Sequence, residues 1–449
     1  MPGGNETAHS EWGTTSLEPF LPTVPVPRIV FEWAALMPLV IYLASYKSSH
    51  TLVGKTSLTG RLCIGLFSKL GVLGKVASLL KEGSDDLDSA CSISELKKDV
   101  WDANFGSKFP CANGAASALI TSYATRGKIP ISVESTIPSS GPTSEPTNPT
   151  AGQQPQFRRY QTLHLLQLSR GAPPQTLVDR VRNFQLSLAF QLLLIFCLLG
   201  CAVIAALFGL IGTAAAIVTS VCIQLCCQVT QIQRPSRFLG GNEPGQACML
   251  TALHNNATTW CLFAGDRGII DGILNKSMIY SVNCKFGERS TRVLSYIFAT
   301  LGFLQLLSMT YVASQKGWDG IGLLVLVTVC WAWEHVAQSD TSVVKEWITA
   351  SDIDVKATTF EFSGRTAMLG SIQVWKKTPV DTWMDDILAP TPRREVWLSY
   401  LAGTNDSRGT VDLEKTLNDR DKRWVEGNVS RTREALKIWE QKLAVNLVP

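Results

Sequence analysis

Between Arg182 and Arg234 the chain carries no charged residue, and Leu186 to Cys227 (LSLAFQLLLIFCLLGCAVIAALFGLIGTAAAIVTSVCIQLCC) is almost wholly apolar. As a single helix that stretch would run ~63 Å at about 1.5 Å per residue, twice the ~30 Å hydrocarbon core of a bilayer. It fits two crossings, 186–207 and 211–229, joined by a tight turn. Similar apolar runs at 29–46, 293–313 and 320–338 bring the expected number of spans to about five. In the last of these the clean run stops at Trp333, and Glu334 and His335 follow. Trp331 and Trp333 suit a headgroup interface, so Glu334 marks an exit from the membrane.

Charge next to the apolar runs sets orientation. The polar segment 1–28 has Glu6, Glu11 and Glu18 against Arg28, and lacks the basic start of a cleavable signal. After 29–46 come Lys47, Lys55, Arg61, Lys69, Lys75 and Lys81. Arg180, Arg182, Arg234 and Arg237 flank the apolar pair, and Lys285, Arg289 and Arg292 precede the fourth run. This pattern places the N-terminus outside, with 47–130, the loop 230–292 and 339–449 in the cytosol of a multi-pass protein of the plasma membrane or an endomembrane. One feature opposes it: the loop 230–292 holds three cysteines and the N-glycosylation sequons at Asn256 and Asn275, which would suit a lumenal loop. A sequon at Asn5 falls outside in either case. A single crossing by 186–227 would invert everything after it.

Within 47–130, the stretch 61–80 (RLCIGLFSKLGVLGKVASLL) aligns Leu62, Leu66, Leu70, Leu73, Ala77 and Leu80 on one helical stripe, with Arg61, Ser68 and Lys75 opposite. Such a helix lies in a headgroup layer or packs on the protein's own spans. Residues 131–157, rich in Pro, Ser and Thr, read as a disordered linker. The tail 339–449 is soluble in composition. Lys356–Phe362 alternates like a strand. Helical patterns occupy 365–375, 380–388, 393–401 and 418–443, the last aligning Val425, Val429, Leu436, Trp439 and Leu443. The fold class expected is mainly α: a polytopic helical membrane protein with a soluble, mainly helical C-terminal domain.

Composition agrees: charged residues are 17% of the 449, below the ~25% usual for soluble chains. A net charge of +4 without basic–aromatic clusters excludes nucleic acid as a partner. Most of the 12 cysteines lie in apolar stretches, and no CxxC pair occurs, so neither a disulfide framework nor a zinc site is expected. Cys226 and Cys227 end the third run, where palmitoylation takes place on juxtamembrane thiols.

Catalytic motifs are sparse, so the chain is read as a non-enzyme without cofactors, catalytic residues or metal ligands. The five histidines provide no facing pairs within the apolar runs for haem and no clusters for iron. Gly54-Lys55-Thr56 resembles the end of a phosphate loop, but Ser49 stands where its first glycine belongs. His335 and Asp340 have the H-x4-D spacing of glycerolipid acyltransferases, the basis of a lipid-modifying alternative. Asp381, Asp385 and Asp386, or Asp352 with Asp354, would suit a divalent cation if they converged. Gln305 with Thr300 and Tyr311 would line a path in a small-solute transporter or channel, the other alternative. Small residues four apart (Ala202 and Ala206, Ala205 and Gly209, Gly212 and Ala216) favour close helix packing.

Three stretches, Phe109–Tyr123 (FPCANGAASALITSY), Phe362–Trp375 (FSGRTAMLGSIQVW) and Trp383–Trp397 (WMDDILAPTPRREVW), resemble an uncharacterised family of multi-pass membrane proteins from filamentous ascomycete fungi. The resemblance implies a membrane protein with a soluble tail and assigns no chemistry. Together these readings suggest a scaffold that uses the lipid bilayer and protein partners of its C-terminal domain.

Overall fold

The computed structural model describes residues 28–43, 48–83, 96–133, 159–171, 177–240, 245–315, 317–377, 380–404 and 408–447. Segment 1–27, with Asn5, and most of the linker, 134–158, lie outside them. The chain is mainly helical, but a mixed seven-stranded sheet organises it.

Five apolar helices form a bundle: α1 (Arg28–Leu43), α5 (Leu177–Leu207), α6 (Ile211–Val229), α8 (Glu288–Gln315) and α9 (Trp318–Ala337). Among the described residues, three helical stretches are long and apolar enough to cross a membrane: Ile211–Val229, Glu288–Gln315 and Trp318–Ala350. About five such spans are expected from the sequence; the remaining apolar stretches among the described residues are Ile29–Leu43 and Leu192–Leu207, the second being part of the 31-residue α5. Helix α1, with 16 residues and Pro38 inside it, extends only ~24 Å. The third stretch breaks after α9, where the Ser339 hydroxyl caps α10 (Asp340–Ala350) by accepting from the Ser342 amide.

Large apolar side chains face outward on every helix of the bundle: Val40 is 56% exposed, Phe196 69%, Val218 46%, Phe303 57% and Val329 61%. Small residues face inward. Ala202 and Ala205 pack against Ala214 and Ile217, which seals the α5–α6 pair. A side chain on Gly212 would collide with Val312 and the Asp319 carboxylate. That carboxylate, buried in the first turn of α9, accepts from the amides of Gly212 and Thr213 at 2.8 Å each, and the Thr213 hydroxyl donates to it. One anion thereby caps α6 and binds its N-terminus to that of α9. Helix α1 starts at the same end, with Phe31 edge-on to Trp318 at 5.7 Å and Ala35 against Gly320.

The opposite end carries an α/β head. Its strands are β1 (Asp99–Asp102), β2 (Lys108–Pro110), β3 (Ile131–Ser132), β4 (Gln161–Arg170), β6 (Gln246–Ala252), β7 (Thr259–Asp266) and β9 (Ile353–Phe362), in the order β2-β1-β6-β7-β4-β9-β3. Strand β4 runs parallel to β7 and antiparallel to β9. Alternation along the strands sends Leu163, Leu250, Trp260, Leu262 and Phe360 to one face and Leu166, Met249, Cys261 and Phe263 to the other. The first face is covered by α11 (Arg365–Lys376), a 3-10 turn at Thr382–Met384, α12 (Pro392–Ala402), α13 (Arg408–Thr416) and α14 (Asp419–Leu447). The second is covered by α4 (Gly114–Thr125), α7 (Arg267–Leu274), α10 and the end of α2 (Ser48–Thr59). A short ribbon, β5 (Thr230–Gln233) with β8 (Ser281–Cys284), joins α6 and α8 to the head.

Four expectations change as a result. The region 230–292 is not a loop: β6 and β7 sit near the middle of the sheet. The tail 339–449 is not a separate helical domain, because β9 pairs with β4 along ten residues and with Ile131–Ser132. Those last two residues, assigned to the linker, form strand β3. The helix expected over 61–80 is confined to α3 (Leu70–Glu82), which packs along α8: the Ser295 hydroxyl donates to Ala77 O, and Leu73, Val76, Leu79 and Leu80 are buried. The protein itself covers that apolar stripe.

Removing the shared cap tests the bundle. Asp319→Ala leaves the first amides of α6 unpaired and should lower stability by about 2 kcal/mol. A correspondingly lower Tm in detergent is the expected readout, and an unchanged Tm would show that the contact contributes nothing.

Candidate functional site

The junction of bundle and head gathers the polar groups that sequence motifs do not mark. Helix α2 ends at Thr59, and Gly60, at φ 70°, turns the chain while leaving room for the Arg234 guanidinium. Arg234, half-buried, donates to Ser57 O at 2.5 Å and Leu58 O at 2.6 Å, satisfying the C-terminal carbonyls of α2. Segment 60–69 then folds back against the bundle, held where Gln224 Nε2 donates to Gly65 O at 2.8 Å. At Gly65 an added Cβ would lie 2.7 Å from Glu334 Oε2, so a larger residue there would move that carboxylate. The exit of α9 is pinned by Lys55, whose ammonium donates to Gln338 O at 2.8 Å and pairs with Asp340 at 3.0 Å. Arg61 Nη2 donates to both carboxylate oxygens of Glu346, at 2.8 and 2.9 Å, joining the loop to α10.

These contacts enclose a cavity of about 80 Å³ lined by Thr51, Lys55, Cys63, Ser68, Lys69 and Glu334. It shares Phe67, Lys69 and Glu334 with a smaller hollow between α1 and α9, walled by Pro38, Ile41, Val327 and Trp331. Burial pushes the Cys63 thiol up, against a weaker opposing hydrogen bond from Thr59. Lys55 is committed to Asp340, whereas the Lys69 ammonium and the Glu334 carboxylate have no hydrogen-bond or ion-pair partner among the described residues.

The head contains a second polar cluster. Arg267 bridges Asp102 at 3.0 Å and Asp271 at 3.5 Å, with the Phe105 ring 4.2 Å from its guanidinium carbon. Nearby, the Lys376 ammonium donates to the carbonyls of Ala103 and Val380 and lies 5.5 Å from the Trp383 ring. Burial lowers the Lys376 pKa to about 8. These contacts tie α7 and α11 to the edge of the sheet.

The residues with sequence-level promise are dispersed. Asp340 faces Lys55, and His335 instead packs at a tilt against Trp331 with centroids 4.5 Å apart, so the two do not form a dyad. Asp385 pairs with Arg394 at 2.6 Å and Asp386 with Lys108 at 2.9 Å, while Asp381 offers its carbonyl to Arg394. Among the described residues no three metal-ligating side chains converge. Gln305 is fully buried, but Thr300 and Tyr311 face outward, so the three do not line one path.

Cys226 and Cys227 are half-buried beside the cluster of Leu73, Val76 and Phe298. Cys248 and Cys261 point to opposite faces of the sheet, which prevents them from bridging. Burial pushes the Cys248 thiol up to about 12 and raises that of Cys261. Asn256 lies in the β6–β7 turn and receives Arg159 Nη1 at 3.0 Å; Asn275 is exposed at the end of α7. The C-terminal face of Val425, Val429, Trp439 and Leu443 is buried against the sheet, which leaves the charged side of α14 for any partner.

Comparison of the chain with protein-family models, curated proteins and solved structures returns no match.

Lys376 provides a pH test. Its folded pKa lies below the ordinary 10.5, so burial of the charged form costs stability below about pH 8 and the cost fades towards 10.5. Relative to Lys376→Met, the wild type should therefore gain stability between pH 8 and 10 in chemical denaturation. A pH-independent difference would contradict the assignment.

Proposed function

We propose that this is a five-span integral membrane protein that holds an α/β head at the cytosolic face and works as a docking scaffold. The observation supporting this reading is strand sharing. Strand β4 precedes the α5–α6 pair, β7 lies between the two helix pairs and β9 follows α8–α9, yet the three are neighbours in one sheet. Each pair must therefore return to the side it left, which favours two crossings by 186–227 over one. With α1 starting at the far end of the bundle, five crossings result. Helices α1 and α5 are counted as spans because their outward faces are as apolar as those of the longer helices. Basic flanks orient the head towards the cytosol, so Asn256 and Asn275 should lack glycans.

The scaffold reading is further favoured by how the head uses its charges: the groups that would serve chemistry are committed to structural pairs such as Asp340–Lys55 and Asp385–Arg394. All three stretches that resemble the fungal family fall in the head, where a shared docking role would reside.

Reconstitution separates scaffold from carrier. Purified protein in liposomes, tested with a panel of ions and small solutes, should give no flux above protein-free vesicles. Reproducible flux would reject the scaffold, and an endoglycosidase-sensitive glycan on Asn256 or Asn275 would reject the orientation.

A further inference from the structure

We propose that the cavity between α2, the 60–69 segment and the end of α9 binds the headgroup of a zwitterionic, primary-amine glycerophospholipid, with its phosphate at Lys69 and its ammonium at Glu334. The proposal rests on the membrane reading above, because the cavity then lies at the level where headgroups sit. Trp331, half exposed beside it, is the residue type that favours that level.

Charge selects the ligand. Lys69 and Glu334 line the same cavity, and neither is neutralised by another described residue. A ligand that carries both charges pairs each of them at once. A purely anionic headgroup would satisfy Lys69 but face the Glu334 carboxylate. A zwitterion satisfies both. A primary ammonium donates hydrogen bonds to the Glu334 carboxylate, which a trimethylammonium group, having no N–H, does not.

Shape agrees with charge. The cavity of about 80 Å³ is several times the ~10–15 Å³ that one water requires, enough for a phosphate and a short amine arm. Below it, the hollow between α1 and α9 is walled by Pro38, Ile41 and Val327, an apolar seat for the start of an acyl chain. Gly65 leaves the Glu334 carboxylate room at the cavity wall, where a Cβ would lie 2.7 Å from Oε2.

Native mass spectrometry of the full chain in detergent tests this, with phosphatidylethanolamine, phosphatidylcholine and phosphatidylglycerol of matched acyl chains. The wild type should retain phosphatidylethanolamine about tenfold better than the other two. Lys69→Gln should weaken phosphatidylethanolamine retention by a similar factor, and Lys69→Arg should restore it, which separates loss of charge from loss of fold. Glu334→Gln should remove the preference over phosphatidylglycerol. Equal retention of all three lipids, or no response to either neutralising variant, would overturn the proposal. Equal competition by soluble glycerophosphoethanolamine would assign the site to a free headgroup and overturn the lipid assignment. Resistance of the protein to alkaline carbonate extraction from membranes is scored separately, so failure of the membrane reading is distinguishable from failure of the site.

Discussion

Strand β4 must pair with β7 on one side and with β9 on the other, and the rest of the architecture follows from that requirement. Backbone groups in the middle of a sheet have no access to water, so a strand that failed to arrive would leave a ladder of unsatisfied donors and acceptors. Strand β4 matches β9 along its full length from Gln161 to Arg170 and β7 from Thr162 to Leu168. Two long helices separate β4 from β7, and two more separate β7 from β9. The helices are therefore constrained as returning pairs, whatever surrounds them. Sequence-distant pairing of this kind also delays formation of the head until both pairs have closed.

The bundle and head are joined by charge used at element ends. Asp319 caps α6 at one end of the bundle, while Arg234 and Lys55 occupy carbonyls of α2 and of the α9–α10 break at the other. These contacts fix the spacing of the 60–69 segment from α9, and the cavity is the space that remains. Lys69 and Glu334 stand out because the charges around them at that junction are committed: Lys55 to Asp340, Arg61 to Glu346 and Arg234 to backbone.

The apolar bundle was legible because an apolar helix announces itself locally: an uncharged run such as Leu186–Cys227 is long and apolar enough to cross a bilayer. The pairing of α5 with α6 was legible too, from the length of that run and its small residues. The sheet was not. Strands β6 (QACMLTA) and β7 (TWCLFAGD) are covered on both faces, so they lack the alternation that marks a half-exposed strand. Strands β1, β2 and β3 have only two to four residues and exist only by pairing with distant partners. Only β9, with KATTFEF, showed a strand pattern. The cavity was hidden for a related reason. Lys69 read as one of several basic flanks and Glu334 as a membrane exit, and nothing local places them in one space. The H-x4-D spacing at His335 misled because the Ser339 cap turns the chain there, and Asp340 leaves with α10 to meet Lys55.

Side-selective cysteine labelling in sealed vesicles tests the returning helix pairs most directly. Ile129→Cys reports the head before α5, Tyr280→Cys the head after α6, and Gln315→Cys the tip joining α8 to α9; all three positions are exposed. With a membrane-impermeant maleimide read against the wild-type background, Ile129→Cys and Tyr280→Cys should label from the same side and Gln315→Cys only from the other. Labelling of Ile129→Cys and Tyr280→Cys from opposite sides would contradict the shared sheet and, with it, the returning helix pairs.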